Sequence, residues 1–361
     1  MKKEDVYIYY SGATDVTGKK LQDALGITGG ADKPADKKLV IGWGAKTKKN
    51  MTFPAGVDVM NHPNQIKDNR NKFTTLQTLA ASKVNVAKFV DAEHVKASLK
   101  NKDGVSLPLV GRTNFHQGGK GFWLCLTMTH LDNAIKEGAQ YFQNYIDIVD
   151  EYRLHIFEGE CIYAVKKVKR DNMEEAFIEQ HGEKIKNIAN KQNKIMDEDT
   201  LQYALGRLAK GTPNPDMIIR SNTRGWKFSH VKKPDANLVA EAVKALAAIK
   251  LNFGAVDCCI DADGKVWIIE INSGPGLQGT PFDAYVAAFE KVIASKGKPE
   301  VKKAPAKKVP AKKAAVVNGA GGGDKKALMR SKLDLMNEML EVADDDEVDA
   351  IQSLWTKMAN K

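Results

Sequence analysis

One stretch constrains the fold more than any other: Gly254 to Thr280, reading GAVDCCIDADGKVWIIEINSGPGLQGT. Two apolar, β-branched runs flank Asp263-Gly264, a dipeptide favoured in the two-residue turns of β-hairpins. A two-residue turn there sets Ala262 against Lys265, and counting outward sets Asp257 against Glu270. Side chains repeat every second residue along a strand, so Asn272 joins Glu270 on one face. Like charges directly opposite destabilise a sheet unless something neutralises them. A divalent cation would do so, and two carboxylates with an amide oxygen are hard donors of the kind magnesium takes. The plain alternative is a solvated acidic face. A calcium loop of the EF-hand kind is a second alternative, with Asp261, Asp263, Gly264 and Glu270 at positions 3, 5, 6 and 12 of its loop. Its first position would be Cys259, a poor calcium ligand, and its flanks read as strands, so that alternative loses.

At 361 residues the chain has room for more than one domain. No apolar run approaches the ~20 residues that span a bilayer. Glu4 and Asp5 interrupt the opening MKKEDVYIYYSG, and no long apolar segment follows. No signal peptide or membrane segment is expected, and the expected compartment is the cytoplasm. Cys125, Cys161, Cys258 and Cys259 lie in strand-like runs without zinc spacing, which suits buried free thiols in a reducing compartment. The formal charge of +10 is uneven: Lys296 to Asn318 holds eight lysines against one glutamate, and residues 319–361 carry a net charge of −3. Much of the basic character is therefore that of a linker, and nucleic acid is at most a weak partner through it.

Along the chain, residues 1–65 alternate strand and helix: VYIYY, TGKKLQDALG, KLVIGWG and GVDVM read as strand, helix ending at Gly26, strand and strand. NRNKFTTLQTLAASKVNVAKFV is an amphipathic helix running into a strand. SLPLVGRTNFHQGGKGFWLCLT gives two strands around a loop with Gly118, Gly119 and Gly121. Such glycines let backbone N–H groups close on phosphate oxygens, with Arg112 and Lys120 supplying charge; an ordinary mobile loop has the same composition. YFQNYIDIVDEYRLHIFEGECIYAVKKVKR gives two strands around Glu158-Gly159-Glu160. Residues 171–216 read as a helical insertion, RSNTRGWKFSH precedes a helix over KPDANLVAEAVKALAAIKLN, and the acidic hairpin follows. Residues 296–323 are a Lys/Ala/Pro- and Gly-rich tether. Residues 324–361 return to helical spacing and suggest a helical pair, too small for much stability alone, that meets a protein partner or copies of itself.

These four pieces in this order resemble the ATP-grasp enzymes: a Gly-rich phosphate loop, a strand-linker adenine segment, an Arg/Asn segment and a terminal Asp…Glu-x-Asn hairpin. The likeness runs from about Lys72 to Phe289. RSNTRG with EINSGPGLQGT is most similar to the carboxylate–amine ligases of the ribosomal-protein glutamate-ligase (RimK-like) kind. The resemblance implies an α/β (α+β) architecture with a Rossmann-like pre-ATP-grasp domain over residues 1–65 and an ATP-grasp domain over residues 66–295. It implies ATP and magnesium, with manganese as a substitute. Asp257, Glu270 and Asn272 match the family's metal ligands. Arg112 stands where a lysine usually contacts phosphates, and Lys72 matches an earlier nucleotide-contacting lysine. Asn144 and Tyr145 match the adenine segment, and Glu151 the acidic residue that binds ribose. Arg220 and Asn222 match residues near the transferred phosphate, and Ser221 between them joins the nucleotide-binding set. Gly118, Gly119 and Lys120 match the loop over the phosphates.

The implied chemistry is amide or peptide bond formation between a carboxylate and an amine, each a small molecule or a peptide, through an acyl phosphate. A kinase on the same scaffold and a non-catalytic nucleotide-binding scaffold protein are the alternatives. Arg153 and Arg170 read equally as functional residues and as plain surface or ion-pair residues. Trp226 reads equally as a packing residue and as a substrate contact, His130 and His155 read as packing residues, and His116 as a solvated loop residue.

Overall fold

The structure, a computed structural model, describes residues 1–12, 14–45, 51–102, 104–116, 121–169, 219–220 and 226–296. Gly118, Gly119, Lys120, Ser221, Asn222, the 171–216 insertion and all of the tether and C-terminal segment beyond Lys296 lie outside these described residues.

Three sheets organise the chain. Strands β1 (Val6–Tyr9), β2 (Thr28–Gly30), β3 (Leu39–Gly42) and β4 (Asp58–Met60) form a parallel sheet in the order β2-β1-β3-β4. Helix α1 (Val16–Leu25) follows β1. The Asp15 side chain accepts the Gly18 N–H at 2.9 Å to start it, and Gly26, left-handed at φ 62°, ends it. Helices α2 (Pro63–Asn69) and α3 (Lys72–Ala81) lead to a second, antiparallel sheet. It comprises β5 (Phe89–Asp91), β6 (Leu109–Arg112), β7 (Phe122–Cys125) and β8 (Tyr141–Asn144) in the order β5-β8-β6-β7. Helices α4 (Val95–Asn101) and α5 (Met128–Lys136) contribute Val95, Leu131 and Ala134 to its core with Leu109, Cys125 and Phe142.

The third sheet is antiparallel: β9 (Ile148–Phe157), β10 (Glu160–Lys169), β11 (Trp226–His230), β12 (Phe253–Asp261) and β13 (Val266–Asn272), in the order β11-β10-β9-β12-β13. Helix α6 (Ala236–Ala248) covers one face, packing Leu238, Ala242, Ala245 and Leu246 on Leu154, Ile156, Val256, Cys258 and Ile271. Strand alternation therefore turns Glu151, Arg153 and Asp257 to the other face. Helix α7 (Thr280–Ser295) reaches back to the first sheet, where Tyr285, Phe289 and Ile293 share a core with Val6, Ile8, Leu21 and Trp43. The sequence reading had no strand at β11 and no helix at α7; Lys227, Phe228, Ser229 and His230 on β11 are all exposed, so it lacks the apolar alternation that marks a strand.

The acidic hairpin departs from its expected form in two compensating ways. Asp261 N–H donates to Lys265 O at 3.1 Å, and Gly264 N–H to Asp261 O at 3.1 Å, which makes Ala262-Asp263-Gly264 a three-residue loop with Gly264 left-handed at φ 76°. Ile260 thus faces Val266, one residue off the two-residue count. The register then shifts between Asp257 and Cys258, because Cys258 faces Ile268 while Asp257 faces Glu270. Ile269 is the extra residue of this β-bulge, and it returns Glu270 to the face of Asp257.

Candidate active site

The face of the third sheet opposite α6 carries two rows of charge. In the first, Arg153, Asp257 and Glu270 stand side by side on β9, β12 and β13. The Arg153 guanidinium grips Asp257 with both prongs, Nε to Oδ1 and Nη2 to Oδ2, each at 2.7 Å. Burial alone would raise the Asp257 carboxyl, but Arg153 and Lys167 hold it down to about 2. In the second row, the Lys167 ammonium donates to Glu151 Oε1 on the neighbouring strand. Burial raises the Glu151 carboxyl against the pull of Lys167. Lys167 loses hydration too, yet Asp257 and Glu151 hold its ammonium above the ordinary lysine value.

The start of α3 and the second sheet meet this face. The Lys72 ammonium lies 2.8 Å from Glu270 Oε1 and donates to Ile271 O at 3.4 Å. Its backbone N–H donates to Asn114 O at 2.9 Å, which ties the start of α3 to the chain leaving β6. Beside it, the Asn69 amide donates to Ile271 O at 3.0 Å from a buried position. Arg112 ends β6; burial lowers its pKa, while Tyr141 and Glu270 raise it. Four bases, Lys72, Arg112, Arg153 and Lys167, thus oppose three acids, Glu151, Asp257 and Glu270, in one slot. At the near end of the slot Gly44 donates to Ser273 O at 3.3 Å, and a Cβ on Gly274 would come within 2.6 Å of Gly44 backbone, so the first sheet abuts the end of β13.

The remaining candidates fall around this slot. Asn272 stands opposite Ala255, two residues beyond Glu270, and is half-buried. Asn144 and Tyr145 lie at the end of β8, where their backbone N–H groups donate to Lys88 O at 2.8 Å and Pro108 O at 3.0 Å. These two donors are spent inside the protein. Glu151 is buried at 5% exposure beneath Lys167. Arg220 donates to Ile148 O at 2.6 Å and Val149 O at 3.3 Å, with its guanidinium 4.8 Å from the centre of the Trp226 ring. Burial pushes the Tyr145 phenol, near Arg220, up to about 12.

Four residues enter the site that the sequence reading gave no role or a bland one: Arg153, Lys167, His116 and Tyr141. Only the alternation in Glu151-Tyr152-Arg153 hinted at the first, since it puts Arg153 on the face of Glu151. His116 is no solvated loop residue. It is half-buried, and its Nδ1 accepts from Arg112 Nη2 at 2.6 Å.

Asp257, Glu270 and Asn272 suit a hard cation by donor chemistry. Each ionised carboxylate offers about four acceptor positions, and its basic partner uses only part of them. Among the described residues no group of three or more His, Cys, Asp or Glu side chains is placed to hold a metal.

No protein-family model matches the chain, and no curated protein matches it in sequence. Solved structures do match in shape. The ATP-grasp ligase PsnB complexed with minimal precursor, Mg and ADP superposes with a TM-score of 0.50 at 11% identity, over 80% of this chain and 99% of that one. PsnB with a phosphomimetic variant of the minimal precursor, Mg and ADP gives 0.50 at 10% identity, over 82% and 99%. The D-alanine–D-alanine ligase of Bacillus anthracis gives 0.49 at 12% identity, over 81% and 99%. With one parallel and two antiparallel sheets in this order, and with PsnB matched over nearly its whole length, the chain has the ATP-grasp fold.

Proposed function

We propose that this protein is an ATP- and magnesium-dependent carboxylate–amine ligase that forms an amide or peptide bond through an acyl phosphate. The observation that carries the reading is the slot where Lys72 and Arg112 converge on Glu270 beside the Arg153–Asp257 pair. With four bases against three acids it has the charge to draw in a polyphosphate. The likeness to PsnB supports nucleotide as the polyphosphate, because that protein is described with ADP and Mg.

A carboxylate is a poor electrophile at neutral pH, so it must first be activated. Its oxygen attacks the terminal phosphorus of ATP, the bond to the ADP oxygen breaks, and an acyl phosphate results. An amine nitrogen then attacks the acyl carbon, loses a proton and expels phosphate. Lys72 and Arg112 bind and orient the phosphates in this scheme, and Arg220 with Asn222 serves the transferred group. Asp257, Glu270 and Asn272 would hold a divalent cation, which when bound neutralises phosphate charge. Gly118, Gly119 and Lys120 are assigned to the phosphates and Ser221 to the nucleotide from the sequence alone. Asn144, Tyr145 and Glu151 remain assigned to the adenosine end, where carbonyl oxygens rather than the two spent N–H groups would meet adenine.

Both substrates are open to peptides as well as small molecules, and the precursor bound by PsnB makes a peptide a sensible member of the panel. The deciding experiment supplies ATP, Mg²⁺ and amino acids or short peptides and follows ADP, phosphate and products. Hydroxylamine added as the amine should trap a hydroxamate, with ADP and phosphate released in equal amounts. ADP formed with a phosphorylated product and no free phosphate would mean a kinase. Nucleotide bound with neither ADP release nor product would mean the non-catalytic nucleotide-binding scaffold protein.

A further inference from the structure

We propose that His116 is a positioning residue: its Nδ1 fixes the plane of the Arg112 guanidinium in the slot beside Glu270, so that the remaining N–H edge meets phosphate oxygens. The proposal deepens the ligase reading and rests on it for the identity of the phosphate. Its geometric part stands on the side chains alone.

Arg112 is held from three sides. Its strand neighbours in register are Phe122 on β7 and Tyr141 on β8. The guanidinium carbon lies 5.4 Å from the centre of the Phe122 ring, which restrains one face. The third side is His116, four residues on, where Arg112 Nη2 donates to Nδ1 at 2.6 Å. On the far side of the ring His116 Nε2 lies 3.5 Å from Tyr141 Oη, so the histidine is itself braced. Burial, then Arg112, then Lys72 push the His116 pKa down to about 3, so the ring is neutral and Nδ1 keeps the lone pair this bond needs. The ring hydrogen then sits on Nε2, facing Tyr141.

The Nε atom of Arg112 is buried and bonds to none of the described residues. A charged donor left in that state is costly, so an acceptor oxygen arriving there is strongly favoured. The need for an orienting partner follows from the choice of base. A lysine ammonium is a point charge that binds from any direction, whereas a guanidinium is a flat fork that meets two oxygens only in one plane. His116 supplies the orientation that arginine requires and lysine does not.

The test uses the full chain and four variants: His116→Asn, whose Oδ1 can replace Nδ1 as acceptor; His116→Leu, which cannot accept; Arg112→Lys; and Arg112→Lys with His116→Leu. His116→Leu should raise the KM for ATP about tenfold, as loss of a charge-assisted hydrogen bond predicts, with a much smaller change in kcat. His116→Asn should recover most of that loss. In the Arg112→Lys background His116→Leu should add almost nothing, because the histidine acts only through the arginine. Equal losses in both backgrounds, or an asparagine variant as impaired as the leucine one, overturns the proposal.

Side-chain ¹⁵N NMR of Arg112 gives a readout without turnover or nucleotide. Rotation of the guanidinium should be hindered in the wild type and free in His116→Leu. Free rotation in the wild type overturns the positioning role even if the enzyme is a ligase. A wild type that binds no nucleotide while holding Arg112 fixed overturns the ligase reading instead. Should the leucine variant fail to fold, the wild-type NMR and the asparagine variant still decide.

Discussion

Asn61 and Asn252, 191 residues apart, bond each other reciprocally: each backbone N–H donates to the other's Oδ1, at 2.9 Å and 2.7 Å. Asn61 also donates through Nδ2 to Phe253 O at 2.8 Å, is fully buried, and has a left-handed φ of 52°. This clamp joins the end of β4 to the start of β12. Asn61→Gly should keep the backbone conformation and lose the side-chain bonds, at a cost of about 3 kcal/mol. Asn61→Ala should cost about 1 kcal/mol more, from the left-handed conformation. Urea unfolding of both variants measures the two contributions separately. Equal costs would remove the strain argument.

Asp257 and Glu270 should part company in stability. Asp257→Asn strands the Arg153 guanidinium beside a neutral amide, where only 7% of the Asp257 side chain was exposed, and should destabilise by about 3 kcal/mol. Glu270→Gln disturbs the more open Lys72 pair and should cost at most about 1 kcal/mol. Both should lose nearly all ADP release. Comparing urea midpoints with turnover tests this, and a Glu270→Gln chain with normal turnover at low magnesium would remove the metal assignment.

The Asp257 carboxyl also sets an acid limit. Its folded pKa, about 2, lies below the ordinary value of 3.8, so folding favours the ionised form. That stability is present above about pH 4 and is lost as pH falls toward about 2. At about 1.4 kcal/mol per unit the loss amounts to about 2 kcal/mol. Glu151 acts in the opposite sense, because its raised pKa means protonation favours the fold. Unfolding free energy followed across this range should fall more steeply in the wild type than in Asp257→Asn. Parallel curves would show that Arg153 does not set the carboxyl's pKa.

Gly264→Ala is expected to cost about 1 kcal/mol through its left-handed φ alone, since nothing lies within 4 Å of the added methyl. ADP release by the folded protein should be unchanged, because the loop lies beyond the bulge that aligns Glu270. A variant that folds normally but loses turnover would mean that the loop itself sets the facing of Asp257 and Glu270.

The facing of Asp257 and Glu270 was legible in the sequence, but for a reason only half right. The Asp263-Gly264 dipeptide signals a turn without fixing its length, and nothing in VWIIEIN marks Ile269 as a bulge. The strands at Val6, Leu39 and Leu109 and the α6 helix were plain from periodicity. Strand β11 was not, because Lys227, Phe228, Ser229 and His230 are all exposed. Least legible were the counter-ions. Arg153 lies 104 residues from Asp257, and Lys72 lies 199 residues from the Ile271 carbonyl it also meets. Such pairings follow from sheet order rather than from local pattern. The sequence therefore indicated where the acids gather but not which bases hold them.

Helix α7 has a consequence for biosynthesis. The first sheet leaves the ribosome well before Tyr285, Phe289 and Ile293, which close over Val6, Ile8 and Leu21. At roughly 5–20 residues per second, translation leaves that apolar surface uncovered for tens of seconds. A nascent chain stalled before residue 280 would hold a parallel sheet without its lid of aromatic side chains, and such a fragment should be sticky and dependent on chaperones. The tens of seconds between β1 and α7 are the interval in which this protein is most open to aggregation.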